Sequence, residues 1–359
     1  MNRDAALSCV NPRIRALAAY HLVPDQADVK LNQNENPFDW PAEIKEEAAA
    51  FVRGRPWNRY PDFVPAALKA ALASWAGVSE RNVIVGNGSN EMLLVVMLGL
   101  TDADRPLLTC QPTFTVYRLL AKGMGRDCEP VYLDGDFRFD TRALCEASAK
   151  NPRAVMLLCS PNNPTGSALS KEQIRAVLAC HQGFIVLDQA YVEFGGYNAV
   201  ELIGEYPNLI VTRTFSKAFG AAGLRLGYMI GNEDVIAELN KIKLPYNINF
   251  FSDYTAMLLL SRPDMVRERV GVIIRERGRV LDFLRSLAGV TAYDSEANFI
   301  LIRTPDSSAL MRGLRQDNIL VRDVSSYPML ENCVRISIGA AGENDRLMAG
   351  MRKIFKPRA

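Results

Sequence analysis

A regular alternation of short apolar runs and helical patterns between residues 82 and 212 most constrains how this chain folds. The apolar runs, each bounded by polar, Pro or Gly turns, lie at residues 82–85, 106–110, 154–159, 184–187 and 209–212. The helical patterns between them lie at about 91–100, 115–123, 140–149 and 170–181. Strands that alternate with helices form βαβ units, whose strands pair in parallel. The pattern therefore predicts an α/β domain with a mostly parallel sheet.

The segments on either side of this alternation have other patterns. An extended beginning with strong turn residues at 32–37 precedes two helical patterns at about 41–53 and 65–75. The alternation breaks at Pro245, and a long helix over about 262–287 follows. In the last part, strands are predicted at 299–302, 319–321 and 333–338. Helices are predicted at about 307–316 and 342–354. We therefore expect an N-terminal arm (1–40), a large domain (41–245) and a small α+β domain (246–359).

Charge and histidine content exclude several classes of function. Lys and Arg number 42 against 40 Asp and Glu, a formal net charge of +2, which lacks the basic excess typical of nucleic-acid binding. Nothing in the sequence indicates binding to a membrane surface. Only two histidines occur, His21 and His181, so we expect no histidine-rich metal site and little histidine-based catalysis. If the chain is an enzyme, another group moves its protons.

The seven cysteines form no C-x-x-C motif and are odd in number. We therefore expect buried free thiols in a reducing compartment rather than a disulfide framework. The first residues lack the apolar segment typical of a signal peptide. The longest apolar run, at about 92–100, is too short to cross a bilayer. These features predict a cytoplasmic protein.

Polar motifs follow the predicted strands, at the sheet edge where open α/β sheets bind ligands. Residues 86–90, Gly-Asn-Gly-Ser-Asn, lie between a strand and a helix. The N–H groups of a helix N-terminus bind anions, and glycines allow a phosphate to approach closely. Glu91 occupies the third glycine position of a dinucleotide fingerprint, which excludes that interpretation. A phosphate cradle and a simple turn remain open for this segment.

Two more motifs follow the next strands. Residues 160–166, Ser-Pro-Asn-Asn-Pro-Thr-Gly, would present the Asn163 amide rigidly, because two prolines fix the backbone. Asp188 follows the strand at 184–187, and Tyr191 lies three residues further on. A carboxylate there could pair with a protonated ring nitrogen, and a tyrosine could donate to a ring oxygen. The simpler alternative for Asp188 is a helix N-cap.

Lys217 is unusual for a lysine of this chain. The chain has 11 lysines against 31 arginines, and Lys217 lies between phenylalanines in Thr-Phe-Ser-Lys-Ala-Phe-Gly, residues 214–220. A lysine in partly apolar surroundings has a lowered pKa and can attack carbonyl carbons as a free amine. Arg225 could supply a cation for a phosphate. An ordinary surface lysine and a surface ion pair of Arg225 are the alternatives.

Two arginines in the C-terminal domain could bind small anions. Val334, Ile336 and Ile338 alternate with Arg335, which places Arg335 on the opposite face of its strand. Arg322 follows the short strand at 319–321. If both face a cleft, they could hold a carboxylate or a phosphate. A local pair with Asp323 for Arg322, and solvent exposure for Arg335, are the alternatives.

In this order, the motifs supply the parts of one site for pyridoxal 5′-phosphate: a phosphate cradle, an Asn, an Asp with a nearby Tyr, a Lys and an Arg. The chain resembles the fold type I aminotransferases, and among them the histidinol-phosphate aminotransferases. Residues 160–166 and 216–220 carry the resemblance to the superfamily. Residues 244–249 and 320–323 favour the histidinol-phosphate branch. The segments 31–37, 59–62 and 334–339 extend the resemblance over nearly the whole chain.

The resemblance implies a fold and a reaction. The large domain would contain a mostly parallel seven-stranded sheet, and the enzyme would be a homodimer. The reaction would be a reversible transamination between L-glutamate and imidazole acetol phosphate, giving 2-oxoglutarate and the L-histidinol phosphate of histidine biosynthesis. The partners implied are these small-molecule substrates, with neither nucleic acid nor membrane.

The resemblance also implies residue roles. Lys217 would be the catalytic residue, forming a Schiff base with the cofactor and then moving the proton. Asp188 would hold the protonated ring nitrogen, Asn163 and Tyr191 would contact the ring's phenolic oxygen, and Phe114 would stack on the ring. The cofactor phosphate would be held by Ser89, Asn90, Thr214, Ser216 and Arg225, with Tyr60 of a second subunit. Substrate would be bound by Tyr20, Asn34, Arg322 and Arg335, with Arg335 on the glutamate α-carboxylate.

Some departures and alternatives accompany the resemblance. Family members often have Tyr at position 114 and Glu at position 189, where this chain has Phe114 and Gln189. Phe114 keeps the stacking surface and loses a phenol. An aromatic aminotransferase and a threonine-phosphate decarboxylase of the same fold remain alternatives, as does a nicotinamide oxidoreductase. The missing third glycine and the Lys217 segment argue against the oxidoreductase.

Overall fold

The computed structural model describes residues 1–17 and 26–358. No helix in this part of the chain is long and apolar enough to span a membrane. The described α-helices are α1 (Arg3–Ser8), α2 (Pro12–Arg15), α3 (Ala42–Gly54), α4 (Ala66–Ala76), α5 (Ser89–Leu100), α6 (Val116–Gly123), α7 (Thr141–Lys150), α8 (Lys171–Cys180), α9 (Glu233–Asn240), α10 (Phe250–Leu260), α11 (Pro263–Arg285), α12 (Ser307–Gln316) and α13 (Ala341–Ile354).

The strands form two sheets. They are β1 (Val29–Leu31), β2 (Val83–Gly86), β3 (Leu107–Gln111), β4 (Cys128–Tyr132), β5 (Val155–Cys159), β6 (Ile185–Asp188), β7 (Leu209–Thr214), β8 (Gly227–Gly231), β9 (Thr291–Ala292), β10 (Phe299–Arg303), β11 (Ile319–Asp323) and β12 (Cys333–Ser337). The seven-stranded sheet has the order β2-β8-β7-β6-β5-β3-β4, and the five-stranded sheet has the order β1-β11-β12-β10-β9.

Strand direction in the larger sheet agrees with the prediction. Strands β4, β3, β5, β6 and β7 pair in parallel, and only β8 is antiparallel to its neighbours β2 and β7 among the described strands. The predicted α/β class with a mostly parallel seven-stranded sheet is therefore confirmed.

Helices cover both faces of this sheet. Leu108 and Met156 face a core that contains residues of α7 and α8. Leu107 and Val155, their neighbours in sequence, face a second core built with α5, α6 and α9. Strands buried on both faces appear in a sequence as continuous apolar runs. This is why the runs, rather than a two-residue alternation, marked the strands.

Several elements were absent from the sequence-based prediction. Strand β4 contains Pro130, lies at the sheet edge and is largely exposed, as a proline-containing strand must be. Strand β8 begins and ends with glycine, which usually indicates a turn. Helices α9 and α10 follow Asn232 and Asn249, whose side chains accept hydrogen bonds from the first turn of each helix. These two caps were the sequence features that could have located the helices.

Packing contacts connect the three predicted parts of the chain. Strand β1 pairs in parallel with β11, so residues 29–31 belong to the smaller sheet. Helix α10, although it follows residue 245, packs against α3 and α4. The division into 1–40, 41–245 and 246–359 stays a prediction, since these packing contacts join all three parts.

The cysteine prediction needs a correction. Cys145 of α7 and Cys180 at the end of α8 form a disulfide, with Cα atoms 5.7 Å apart. The two helices pack side by side, which brings together two cysteines 35 residues apart in sequence. The other five cysteines are free, and Cys110, Cys159 and Cys333 are buried as expected. The expectation of free thiols was therefore wrong for this pair.

Candidate active site

The carboxyl ends of three adjacent parallel strands meet at one cavity. Strand β5 leads into the loop of Asn163, β6 ends at Asp188, and β7 leads to Lys217. The cavity has a volume of about 320 Å³. It is lined by Asn32, Gln33, Asn34, Glu35, Ser89, Asn90, Phe114, Cys159, Asn163, Asp188, Ala190, Tyr191, Thr214, Ser216, Lys217, Ala222, Arg225, Arg322, Tyr327 and Arg335. The position agrees with the rule that open α/β sheets bind ligands at this edge.

Asp188 is a buried carboxylate that accepts hydrogen bonds from neutral donors. Its Oδ2 accepts a hydrogen bond from the Tyr117 hydroxyl at 2.6 Å, and its Oδ1 accepts one from the Ala190 N–H at 3.2 Å. Among the residues that the structure describes, no cationic side chain forms an ion pair with it. Burial raises the pKa of Asp188. A cationic group entering the cavity would therefore gain a counter-ion already in place.

Lys217 is held at the other side of the cavity as a weakly basic amine. Its Nζ donates to the Gln33 carbonyl at 2.9 Å and lies 5.8 Å from the centre of the Tyr191 ring. Burial, followed by the nearby Arg335 and Arg225, lowers the pKa of Lys217 to about 7. A substantial fraction of this lysine is therefore a free amine at neutral pH, which is the form that attacks carbonyl carbons.

The segment 86–90 and Arg225 together form an anion cradle. Ser89 is the first residue of α5, whose N-terminal N–H groups face the cavity edge. A Cβ on Gly88 would lie 2.7 Å from Nη2 of Arg225, and a Cβ on Gly227 would collide with the Ser89 nitrogen. Glycine at these two positions thus allows Arg225 and strand β8 to approach the N-terminus of α5 closely. The simple-turn alternative for this segment does not account for that arrangement.

Two hydroxyls complete the cradle. Arg225 Nη1 lies 3.4 Å from Ser216 Oγ, and Thr214 Oγ1 donates to the same oxygen at 3.0 Å. Arg225 itself has a positive φ of 52°, the left-handed conformation that returns its side chain toward α5. Helix N–H groups, a guanidinium and hydroxyls are the groups that bind phosphate in proteins.

Tyr191 and Asn163 lie between the two sheets. Asn34 Nδ2 donates to the Tyr191 hydroxyl at 3.1 Å, so the Tyr191 proton is left to donate elsewhere. Ser337 Oγ of β12 donates to Asn34 Oδ1 at 2.9 Å and fixes the orientation of that amide. Asn163 Oδ1 accepts from Arg335 Nη1, which leaves the Asn163 amide N–H groups as donors. Both side chains therefore present donors to the cavity.

Arg322 and Arg335 lie directly opposite each other on β11 and β12. Opposite residues of an antiparallel pair share a face, and like charges placed so are destabilising. Arg335 is only 8% exposed, which rules out the alternative of solvent exposure. It donates to the Asn32 carbonyl at 2.8 Å and packs over the Phe299 ring. An anion bound between the two guanidiniums would offset their repulsion.

The structure brings together most residues that the sequence indicated. The cavity is lined by Ser89, Asn90, Phe114, Asn163, Asp188, Tyr191, Thr214, Ser216, Lys217, Arg225, Asn34, Arg322 and Arg335. Tyr60 is not among them, because it is 81% exposed and stacks on Tyr246 at 4.6 Å between ring centres. Tyr20 lies outside the described residues. The roles of all these residues stay predictions.

Sequence reasoning missed eight residues of this site. The seven that line the cavity are Asn32, Gln33, Glu35, Cys159, Ala190, Ala222 and Tyr327. The eighth, Tyr117, donates a hydrogen bond to Asp188. Tyr117 lies three residues after Phe114 and meets its ring at 5.5 Å, edge to face. That helical spacing was the one feature that could have placed Tyr117 beside a site residue.

The described residues fit pyridoxal 5′-phosphate. A carboxylate without a cation suits its protonated ring nitrogen, and the cradle at α5 suits its phosphate. Lys217, with a pKa lowered to about 7, suits covalent attachment to its aldehyde. Phe114, half-buried at the cavity wall, offers an aromatic face. Among the described residues no cluster suited to a metal ion occurs.

Comparisons with known proteins agree with this geometry. Residues 27–354 match the family model described as "Aminotransferase class I and II". The chain is 39% identical over 347 residues to a histidinol-phosphate aminotransferase of Chlorobaculum tepidum, covering 96% of this chain and 100% of that protein. It is 38% identical over 350 residues to one of Chlorobaculum parvum, covering 97% of this chain and 98% of that protein.

The fold is also similar to that of a solved aminotransferase structure. The crystal structure of histidinol-phosphate aminotransferase from Sinorhizobium meliloti, in complex with pyridoxal-5′-phosphate, superimposes with a TM-score of 0.85 at 25% identity. The match covers 97% of this chain and 98% of that one. The similarity thus includes both sheets and the cavity between them.

Proposed function

Because this chain belongs to the aminotransferase class I and II family, we propose that it is a pyridoxal-phosphate-dependent histidinol-phosphate aminotransferase. It transfers the amino group of L-glutamate to imidazole acetol phosphate, giving 2-oxoglutarate and L-histidinol phosphate, a reaction of histidine biosynthesis. The observation that carries this proposal is the pair of opposed arginines, Arg322 and Arg335, in the cavity that also contains Lys217. One arginine can bind the carboxylate that all amino acids share. The second can bind a further anion, such as a phosphate.

Pyridoxal 5′-phosphate, when bound, supplies an electrophilic carbon and a ring that withdraws electrons from the substrate Cα. Asp188 keeps a proton on the ring nitrogen, since the buried carboxylate has no other cation among the described residues. Tyr191 and Asn163 donate to the phenolic oxygen with the hydrogens that Asn34 and Arg335 leave available. Burial raises the pKa of Tyr191, which keeps it a neutral donor.

Lys217 moves the proton at the substrate Cα. A base works best when its pKa is close to the operating pH, and burial brings the pKa of Lys217 to about 7. Arg335 binds the α-carboxylate of glutamate, and Arg322, with Arg335, binds the phosphate of the other substrate in forked, charge-assisted contacts. The two half-reactions use the same site in turn, so the kinetics are ping-pong.

The enzyme acts as a homodimer in this proposal. A patch of exposed aromatic and aliphatic side chains surrounds Tyr60; its members are Trp57, Tyr60, Phe63, Val64, Leu244 and Tyr246. Tyr60 and Phe63 both contact the ring of Tyr246. Large exposed apolar patches mark association surfaces, and a second copy seated here would receive Tyr60 at its cofactor phosphate. A fully active monomer in a sizing experiment would contradict this part.

We also place the enzyme in the cytoplasm. Free buried thiols such as Cys110, Cys159 and Cys333 support a reducing compartment, whereas the Cys145–Cys180 disulfide does not. Cell fractionation with an antibody to the protein tests the location. Counting free thiols in the freshly isolated protein tests whether the disulfide forms there.

A panel of amino acceptors, with glutamate as donor and the cofactor-loaded protein, tests the reaction. We expect imidazole acetol phosphate to give the highest kcat/KM. A preference for phenylpyruvate would indicate an aromatic aminotransferase instead. Release of CO₂ from threonine phosphate without need of 2-oxoglutarate would indicate a decarboxylase of this fold.

A further inference from the structure

Tyr117 occupies a position beneath the site that the reaction described above does not use. It lies on α6, is fully buried, and donates its hydroxyl proton to Asp188 Oδ2 at 2.6 Å. A distance of this size is typical of an O–H···O⁻ hydrogen bond to a charged acceptor. The contact joins a helix on one face of the sheet to the carboxylate at the end of β6.

Among the described residues, the groups paired with Asp188 or bonded to it are neutral. Strand β5 contributes Cys159, paired with Asp188 in register, and β7 contributes Thr212 on the other side. Ala190 contributes a backbone N–H, and Cys110 on β3 lies close to Cys159. Burial raises the pKa of both thiols, so they stay protonated near neutrality. Tyr117 is thus the only phenol or charged side chain described as bonding to this carboxylate.

We propose that Tyr117 is a positioning residue that holds the Asp188 carboxylate ionised and in a fixed orientation beneath the cofactor ring. The Tyr117 hydroxyl donates to Oδ2 and the Ala190 N–H donates to Oδ1. These two hydrogen bonds fix the orientation of the carboxylate plane. This inference rests on the proposed cofactor site. It adds to that site a residue that does not touch the cofactor.

A neutral donor suits this task better than a cation. A lysine or arginine here would also stabilise the ionised carboxylate, but its charge would repel the protonated ring nitrogen. Burial, and the negative charge of Asp188, raise the pKa of Tyr117 well above its usual value, so it stays a neutral donor at every working pH. The ring nitrogen then remains the one positive charge that the carboxylate meets.

The pH dependence of cofactor binding follows from this arrangement. Hydrogen bonds from Tyr117 and Ala190 lower the pKa of Asp188 against the burial that raises it. Below that pKa, binding a ring with a protonated nitrogen must release the carboxyl proton, so affinity falls about ten-fold per pH unit. Removing the Tyr117 hydroxyl raises the pKa of Asp188, and the fall in affinity then begins at a higher pH.

The experiment uses Tyr117→Phe, which deletes the hydroxyl and keeps the ring, in the unloaded protein. Titration with pyridoxal 5′-phosphate at several pH values, followed by fluorescence, gives the dissociation constant. We expect roughly ten-fold weaker binding at pH values where Asp188 is protonated in the variant but ionised in the wild type, because the lost hydrogen bond favours the ionised carboxylate. The matched control is Tyr228→Phe, which removes a hydroxyl from an equally buried phenol in the other core. Lys217 titrates in all these proteins, so differences between them report on Asp188.

Three outcomes would overturn the proposal. One is a Tyr117→Phe protein whose affinity and pH profile equal those of the wild type. Another is an affinity lowered equally at every pH, which indicates a packing role only. If Tyr117→Phe does not fold, Tyr117→Leu is measured, since it also removes the hydroxyl. A pH profile of its cofactor affinity that equals that of the wild type is the third. Failure of the wild type to bind the cofactor would instead sink the proposed function.

Discussion

The two halves of the cavity carry opposite charges. On the seven-stranded sheet, Asp188 is a buried carboxylate with no cation paired to it among the described residues. On the five-stranded sheet, Arg322 and Arg335 are two cations placed directly opposite each other. A buried carboxylate without a cation is costly in a folded protein, and like charges in register repel each other. A ligand with a cationic ring at one end and anions at the other relieves both.

Hydrogen bonds join these halves. Arg335 donates to Asn163, and Asn34 links Ser337 of the small sheet to Tyr191 of the large one. Within the cofactor half, Ser216, Thr214 and Arg225 bond to one another. We therefore expect substitutions in the cofactor half to affect all substrates, and substitutions in the substrate half to affect particular ones.

The largest effect is expected for Lys217→Ala, which removes the group shared by both half-reactions. Loss of the proton-transferring amine should lower kcat by at least roughly 10³-fold for every substrate. Borohydride reduction and mass spectrometry of the loaded protein should show the cofactor on Lys217 in the wild type only. Lys69→Ala is the matched control, because burial also lowers the pKa of Lys69 and it does not line the cavity. Covalent cofactor on the alanine protein would refute the assignment.

Asp188→Asn tests the role of the buried negative charge in the cofactor half. The amide has the same shape but cannot hold a proton on the ring nitrogen, so kcat should fall roughly 10²-fold with all substrates. The unloaded protein should at the same time melt at an equal or higher temperature, because a buried, uncompensated charge is gone. Differential scanning calorimetry of both unloaded proteins measures this. A lower melting temperature would mean that the carboxylate is structural.

The cofactor half was the easier one to predict from sequence. Asp188 and Lys217 each follow a continuous apolar run, and neighbouring parallel strands bring such ends together. Tyr117 was not predicted, because the contact depends on how α6 lies across the sheet edge. Its spacing from Phe114, which precedes α6, only places the two residues near each other.

Arg335 shows what limits prediction in the substrate half. Two-residue alternation correctly separates it from Val334 and Ile336, but cannot tell which face of a strand meets water. In the structure all of β12 is buried, since the arm at residues 32–34 and the large domain cover the arginine face. Pairing of Cys145 with Cys180 escaped prediction for a similar reason: it depends on two helices packing together.

Arg322→Gln should affect one substrate class only. Loss of a charge-assisted contact should raise KM for phosphorylated substrates roughly ten-fold or more, while KM for glutamate changes little. Steady-state kinetics with imidazole acetol phosphate and with an unphosphorylated acceptor measures this difference. Arg312→Gln, on α12 and outside the cavity, is the control. Equal losses on both acceptors would remove the phosphate role from Arg322.

The smallest expected effect is a shift in the pH dependence of cofactor loading. It connects the two halves, because Arg335 of the substrate half affects the pKa of Lys217 in the cofactor half. Burial, together with Arg335 and Arg225, lowers the pKa of Lys217 to about 7, while Glu35 acts to raise it. Only the free amine reacts, so the loading rate should rise about ten-fold per pH unit below this pKa and level off above it. Stopped-flow absorbance of the unloaded protein mixed with pyridoxal 5′-phosphate gives the profile.

Two variants should shift that profile in opposite directions. Arg335→Gln removes a positive neighbour, so the pKa of Lys217 rises and half-maximal loading moves to higher pH. Glu35→Gln removes a negative neighbour, so half-maximal loading moves to lower pH. A general disturbance of the fold would slow loading in both variants without this opposition of sign. Shifts in the same direction would therefore show that the substrate half does not set the charge state of the catalytic lysine.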